Sequence, residues 1–319
     1  MLLLVQYTLI FASVLMLVAL GGCFSEHSGV INLGLEGIMV MGALGGALAM
    51  KYMGADASAP AIIFGTTLAA IACGVVFSLL LAFACVNFNA DQTLVGTAMN
   101  LLATAFATII ARAINTAEDP NNVSNTIQYI QQKKALIVNI NGFEFSWFML
   151  FALVALILAY IILYKTRFGL RLIACGENPQ AADSVGINVY KMRYAGTTIS
   201  GALAGMGGFV YALTTANCSS NGDVAGFGFL ALAVMIFGNW KPLNIAGASL
   251  LFGLFKCIAA AYSSLDINGD GVYWLAEIGI SSHVYRMLPY LITLVVLAFT
   301  SKKSRAPKAE GIPYDKGQR

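Results

Sequence analysis

Trp147 to Tyr164 reads WFMLFALVALILAYIILY, eighteen consecutive positions without a charge. A membrane-spanning helix needs about 20 apolar residues, whereas a barrel strand shows alternation over about 10. This run has the length and lacks the alternation. In hydrocarbon no water bonds to backbone N–H and C=O groups, so the spanning segment must satisfy them within itself, as a helix does. Leu288 to Thr300 has the same character.

The rest of the 319 residues agrees, with 59% apolar and only 10% charged. A soluble domain carries about 25% charged residues because water must solvate its surface. The expected fold class is therefore all-α, a polytopic transmembrane helical bundle. Segments are expected near 3–22, 32–52, 60–86, 93–113, 147–165, 192–215, 226–240, 243–263 and 284–300, about nine, within a range of eight to ten spanning or re-entrant helices. The glycine-rich stretches Gly29 to Gly46 and Gly201 to Gly208 are candidates for broken or re-entrant segments rather than plain spans. Residues 1–300 form the transmembrane domain under this reading, and 301–319 a disordered cytoplasmic tail that carries two prolines and no apolar periodicity.

Positive charge sets the orientation. Lys165, Arg167, Arg171, Lys191 and Arg193 cluster in one connection, and Lys302, Lys303, Arg305 and Lys308 follow the last helix. Both regions are expected in the cytoplasm, which places the N-terminus outside. Loops 113–146 and 263–283 then face outward.

Leu20 to Cys23 has the look of a lipoprotein cleavage site, but the first basic residue is Lys51, so a retained membrane helix is expected. The six cysteines (23, 73, 85, 175, 218 and 257) are dispersed without paired spacing and suggest neither a disulfide frame nor a metal site. The net charge of +3, thinly spread, gives no nucleic-acid footprint. With two histidines and no nucleophile and base at motif spacing, a membrane-embedded enzyme is disfavoured.

Ser25 to Gly37, SEHSGVINLGLEG, mixes glycine with ionisable groups between two apolar segments. A polar side chain at membrane depth is costly unless it faces the protein interior or a wet cavity. Asn32 and Glu36, four apart on one helix face, are therefore candidates to line a translocation path, or alternatively to satisfy broken backbone while glycines pack helices closely. Asn100, inside the fourth segment, has the same two readings. Glu26 and His27 suit an ion-coupling pair or a solvated loop end. Lys256 is expected to snorkel toward the outer interface. Trp240-Lys241-Pro242 marks a tight turn on the inner side.

The stretch SEHSGVINLGLEGIMVMGA resembles the permeases of the branched-chain amino acid, ribose and nucleoside ABC importers. Within that family it is most similar to nucleoside (simple sugar) permeases that work with basic-membrane-protein type lipoproteins. QTLVGTAMNLLA (92–103), GENPQAADSVGI (176–187), SGALAGMGG (200–208) and FGNWKPLNIAGASLLFG (237–253) continue the resemblance through most of the membrane part. What it implies is a permease subunit that moves a nucleoside, or a related sugar-containing solute, into the cell across the inner or plasma membrane. Its partners would be a second permease subunit, cytoplasmic ATP-binding subunits and an extracytoplasmic substrate-binding lipoprotein. The chain holds no G-x-x-x-x-G-K-[ST] loop, so it is read as non-catalytic and without a cofactor, ATP being hydrolysed by the partner. The rival is an ion-coupled secondary transporter, with Glu36 and Asp91 as its candidate carboxylates.

The cytoplasmic connection 166–191 contains a short helix with its own stop signals: Asn178 suits the N-cap, Pro179 the first turn and Gly186 the end. The resemblance implies a coupling helix that docks on the ATPase, with Gly176, Glu177, Asn178, Pro179, Ala181, Ala182, Asp183 and Gly186 as its residues. An amphipathic helix on the membrane surface is the competing reading, and the Ala181-Ala182 face suits a protein socket better.

Outside the resemblance, Asp266, Asn268, Asp270 and Glu277 fall on the spacing of an EF-hand calcium loop, with Gly271 between them. Asn-Gly and Asp-Gly are also common turn dipeptides, and Trp274 occupies the ninth position, so both readings stand.

Overall fold

A computed structural model describes residues 2–53, 57–128, 137–140, 143–216, 219–262, 281–300 and 305–317. The chain runs as α1 (Leu2–His27), α2 (Leu35–Tyr52), α3 (Ala59–Ala82) with a π-helical extension over Phe83–Asn87, and α4 (Gln92–Glu118). Next come β1 (Ile127–Gln128), β2 (Ile137–Ile140), β3 (Phe143–Ser146), α5 (Trp147–Lys165), α6 (Arg167–Glu177), α7 (Pro179–Ser184) and α8 (Val189–Thr214). β4 (Ser219–Ser220), α9 (Phe227–Phe237), α10 (Pro242–Ala261) and α11 (Ser282–Thr300) complete it. Each of the nine expected segments contains a helix, and the fold is all-α. The strands form two small antiparallel pairs, β1 with β4 and β2 with β3.

Among the described residues five helices are long and apolar enough to cross a membrane by composition, those around α1, α3, α4, α5 and α10. Segment 226–240 is shorter than expected. α9 has 11 residues, about 16 Å at 1.5 Å per residue, against a core of about 30 Å, so it is a half-helix. The calcium-loop candidates Asp266, Asn268, Asp270 and Glu277 lie outside the described residues.

α8 is the centre of the bundle and packs on α1, α2 and α3. Gly201 to Gly208, expected as a possible break, lies within an unbroken helix. These glycines allow backbones to meet: a Cβ on Gly42 would overlap the Gly205 backbone, and one on Gly74 would overlap Gly201 and Gly205. Close approach of small residues is a main source of helix association where lipid supplies no hydrophobic drive. By contrast α4 and α5 keep most of their side chains outward, including Leu94, Leu101, Phe106, Leu153 and Ile157.

The ends of α1, α6 and α9 and the start of α8 lie at one end of the bundle, together with Arg193 and Arg305. Lys51 of α2 meets Glu118 of α4 at 2.5 Å toward the other. The expectation of a disordered tail fails for residues 305–317. Ala309 donates its N–H to the Gly176 carbonyl at 2.8 Å, Arg193 donates to the Ile312 carbonyl at 2.9 Å, and Tyr314 is buried. The physical reason is local: the tail supplies an aromatic ring and a backbone carbonyl to the buried Arg193.

Candidate functional site

Two interruptions of helix meet inside the bundle. The first follows α1. Gly29, at φ +90°, donates to the Glu26 carbonyl and Val30 to the Ser25 carbonyl, which is the Schellman way of ending a helix. Ser25, Glu26 and His27 therefore belong to the last turn of α1 and are buried, contrary to the solvated loop end considered for Glu26 and His27. The chain then leaves helix over 28–34, turning at Leu33 and Gly34 before α2 begins.

Non-helical backbone at this depth needs partners from elsewhere. Gln92 accepts from the Ile31 N–H at 2.7 Å. Asn100 uses both ends of its amide: Nδ2 donates to the Leu33 carbonyl at 2.9 Å and Oδ1 accepts from the Gly37 N–H at 2.8 Å. Asn100 lies eight residues into α4, about 12 Å along its axis, so α2 starts inside the membrane region. Asn32 is fully buried and donates to Ser200 of α8 at 2.9 Å, while its Oδ1 has no hydrogen-bond partner.

The second interruption precedes α9. Gly226, at φ +73°, occupies its N-cap and offers no side chain to the free N–H groups. Glu36 supplies the acceptor from α2: Oε1 takes the Gly226 N–H at 2.8 Å, and Oε2 takes those of Gly228 at 2.6 Å and Phe229 at 3.3 Å. Glu36 is also in the first turn of α2. One carboxylate thus sits at the positive ends of two helix dipoles, a setting that favours its charge. Lys256 does not reach outward as expected. Its ammonium lies 4.6 Å from the Phe227 ring centroid and 5.9 Å from that of Tyr290, a cation–π arrangement beside the same N-terminus.

Asp91, the other carboxylate of the ion-coupled reading, caps α4 by accepting from the Leu94 N–H at 2.9 Å. Both candidate carboxylates are thus held by helix N-termini.

At the cytoplasmic end α7 forms where the sequence places a short helix. Asn178 accepts from the Ala181 N–H at 3.0 Å, and Pro179 lies in the first turn. Gly186, at φ +84°, donates to the Asp183 carbonyl while Ile187 donates to that of Ala182. Caps at both ends compensate for a helix too short to hold itself. Glu177, Asn178, Ala181 and Gly186 are exposed, and Pro179 and Asp183 half-buried. Gly176 and Ala182 face inward, Gly176 against the His27 backbone and Ala182 in a small cluster with Cys175, Val189 and Tyr314.

At this end the sequence marked Glu26 and Trp240 but not the contact between them, and it did not mark Glu310. Glu26 accepts from the Trp240 indole N–H at 2.5 Å, which joins the end of α1 to the turn after α9. The Glu310 carboxyl faces the same Glu26, and burial pushes it above the usual carboxylate range. Glu26 and Trp240 also stand within two of the motifs that carry the family resemblance. Among the described residues no group of three or more His, Cys, Asp or Glu side chains is gathered as for a metal.

The family model for the branched-chain amino acid transport system / permease component matches residues 4–297. The chain is similar to the guanosine ABC transporter permease protein NupQ of Bacillus subtilis, 40% identical over 99% of this chain and 97% of that one. It is 39% identical to the nucleoside ABC transporter permease protein NupC of Lactococcus lactis, over 97% of this chain and 96% of the relative. A second L. lactis protein, the nucleoside ABC transporter permease protein NupB, is 28% identical over 54% of this chain and 45% of its own length. No solved structure matches.

Proposed function

Because the chain belongs to the family of branched-chain amino acid transport system / permease components, we propose that it is the membrane-embedded permease of an ATP-binding cassette importer whose solute is a nucleoside. The observation that carries the solute class is the near full-length similarity to relatives named for guanosine and nucleoside transport. The fold supports the transport role. Two interrupted segments face each other inside a multi-pass plasma membrane protein, and irregular backbone at membrane depth is tolerated where it is enclosed by protein or lines a cavity.

In this reading a second permease subunit completes the path. L. lactis has two differently related permeases of this kind, which favours a pair of unlike chains over two copies of one. Cytoplasmic ATP-binding subunits dock on α7, where Glu177, Asn178, Ala181 and Gly186 are presented on a stiff, doubly capped helix that moves as a body when its socket moves. A binding lipoprotein delivers solute from outside. This chain hydrolyses nothing and holds no cofactor. Asn32, Glu36 and Asn100 set the backbone breaks beside the path, and the unpaired Oδ1 of Asn32 is the atom among them left without a hydrogen-bond partner.

The test is uptake of labelled guanosine by cells with and without the gene. Loss of high-affinity uptake on deletion, restored by the gene in trans, is the expected result. Equal uptake in both strains ends the nucleoside assignment.

A further inference from the structure

α7 is only six residues long and buries a single side chain, Ala182, so it has little of its own to resist a push. What fills the space beneath Ala182 is Tyr314, 5% exposed and packed with Cys175 and Val189. The Tyr314 ring lies 5.4 Å from that of Tyr190 and 6.0 Å from the Arg193 guanidinium carbon. Arg193 in turn donates to the Ile312 carbonyl at 2.9 Å. An aromatic ring of this size contributes much of the contact area of so small a cluster.

The same segment grips the opposite side. Ala309 is bonded to Gly176, and Gly311, at φ +76°, lies on Ile31 of the first interruption. The Glu310 carboxyl faces Glu26, which holds Trp240, and Arg305 donates its N–H to Asn239 at 2.8 Å. Asn239 and Trp240 form the turn that ends α9, and the other end of α9 rests on Glu36. α7 also packs on the start of α8 through Ala182 and Val189; the strap contacts add a route to α1 and to the half-helix.

We propose that residues 305–317 are a positioning strap, with Tyr314 as its key residue, that fastens the α7 helix to the turn after α9 and so delivers ATPase movement to the broken helices. This rests on the importer reading given above. A six-residue helix without the strap would tilt on its flanking turns when pushed, and hydrolysis would proceed with little solute moved.

The test uses the complete complex with its own partner subunits in proteoliposomes, where labelled guanosine uptake and ATP hydrolysis are read on the same vesicles. Tyr314→Ala is expected to assemble and hydrolyse ATP while uptake per ATP falls at least tenfold, and Tyr314→Phe is expected to stay within twofold of wild type. Tyr314→Leu, which keeps the apolar bulk, is carried in parallel so that the ratio is read even if the Ala variant fails to assemble; it is expected to lose severalfold. Uptake per ATP within twofold of wild type in both the Ala and Leu variants overturns the strap and leaves the importer intact. Absence of ATP-driven uptake in the wild-type complex overturns the importer reading, and the strap with it.

Discussion

The Glu36 carboxylate on α2 accepts the Gly228 N–H of α9 at 2.6 Å, and so serves as the N-terminal cap of a helix 192 residues further along the chain. Removing it leaves the N–H groups of Gly226, Gly228 and Phe229 without an acceptor in an apolar setting. Each unsatisfied buried group costs about 1–3 kcal/mol. Glu36→Ala is therefore expected to lower the unfolding temperature of the purified complex clearly, whereas Glu36→Gln, which keeps one acceptor oxygen, is expected to lose about 1 kcal/mol. Equal unfolding temperatures for wild type and the Ala variant would contradict the capping role.

Asn100 serves the first interruption as both donor and acceptor. Asn100→Leu removes both bonds and is expected to destabilise the permease by about 2–6 kcal/mol, the sum of two lost partners. Asn100→Asp keeps the acceptor toward Gly37 and loses the donor toward Leu33, so its loss should lie between. Thermal unfolding followed by tryptophan fluorescence checks the order; a ranking with Asp worse than Leu would show that charge, and not bonding, decides the site.

The glycine seam makes a steric prediction. A side chain at Gly205 would press into the backbones of Ala70 and Gly74, and overpacking of this kind costs about 1–3 kcal/mol or more. Gly247, by contrast, has open space where a Cβ would stand. Gly205→Val is expected to abolish accumulation in the membrane, while Gly247→Val accumulates normally. Immunoblots of membrane fractions read both, and normal levels of the Gly205 variant would refute the seam.

The tail should loosen as pH rises. Burial raises the Glu310 carboxyl above its free value, so the docked tail holds a proton that the undocked tail releases. Docking is then fully supported below the free value of about 4.5 and weakens as pH climbs through the higher docked value. Glu26 and the Trp240 indole face the pair from α1 and from the turn after α9, and Arg193 holds the tail nearby through Ile312. Hydrogen exchange at Ala309, corrected for intrinsic rate, is expected to quicken as pH rises above the free value of about 4.5 in wild type and to change much less in Glu310→Gln. Identical profiles would sink the shared-proton account.

The bundle itself was legible because lipid imposes a simple code: charge-free runs such as 147–164 admit one reading. The short helix at 179–184 was legible for a similar reason, since Asn178, Pro179 and Gly186 act through their immediate neighbours. What escaped depended on distant partners. Nothing near Glu36 in sequence announces that it caps α9, and the polarity of Asn100 indicated inward placement without naming Leu33 and Gly37. Segment 226–240 was overestimated because apolar composition continues through the turn that ends the half-helix. The tail misled most: GIPY at 311–314 lacks periodicity, yet one tyrosine and one carbonyl are enough when a buried arginine awaits them.

Where α2, α3 and α8 touch through Gly42, Gly74 and Gly205, main chain rests on main chain with no cushion of side chains between. Such a joint has no alternative rotamers through which to yield, so these three rods must travel as one rigid post. Any alternation between outward and inward access has to be taken up by the lighter pieces around that post, and a ligand that froze α9 would stop the cycle without touching its frame.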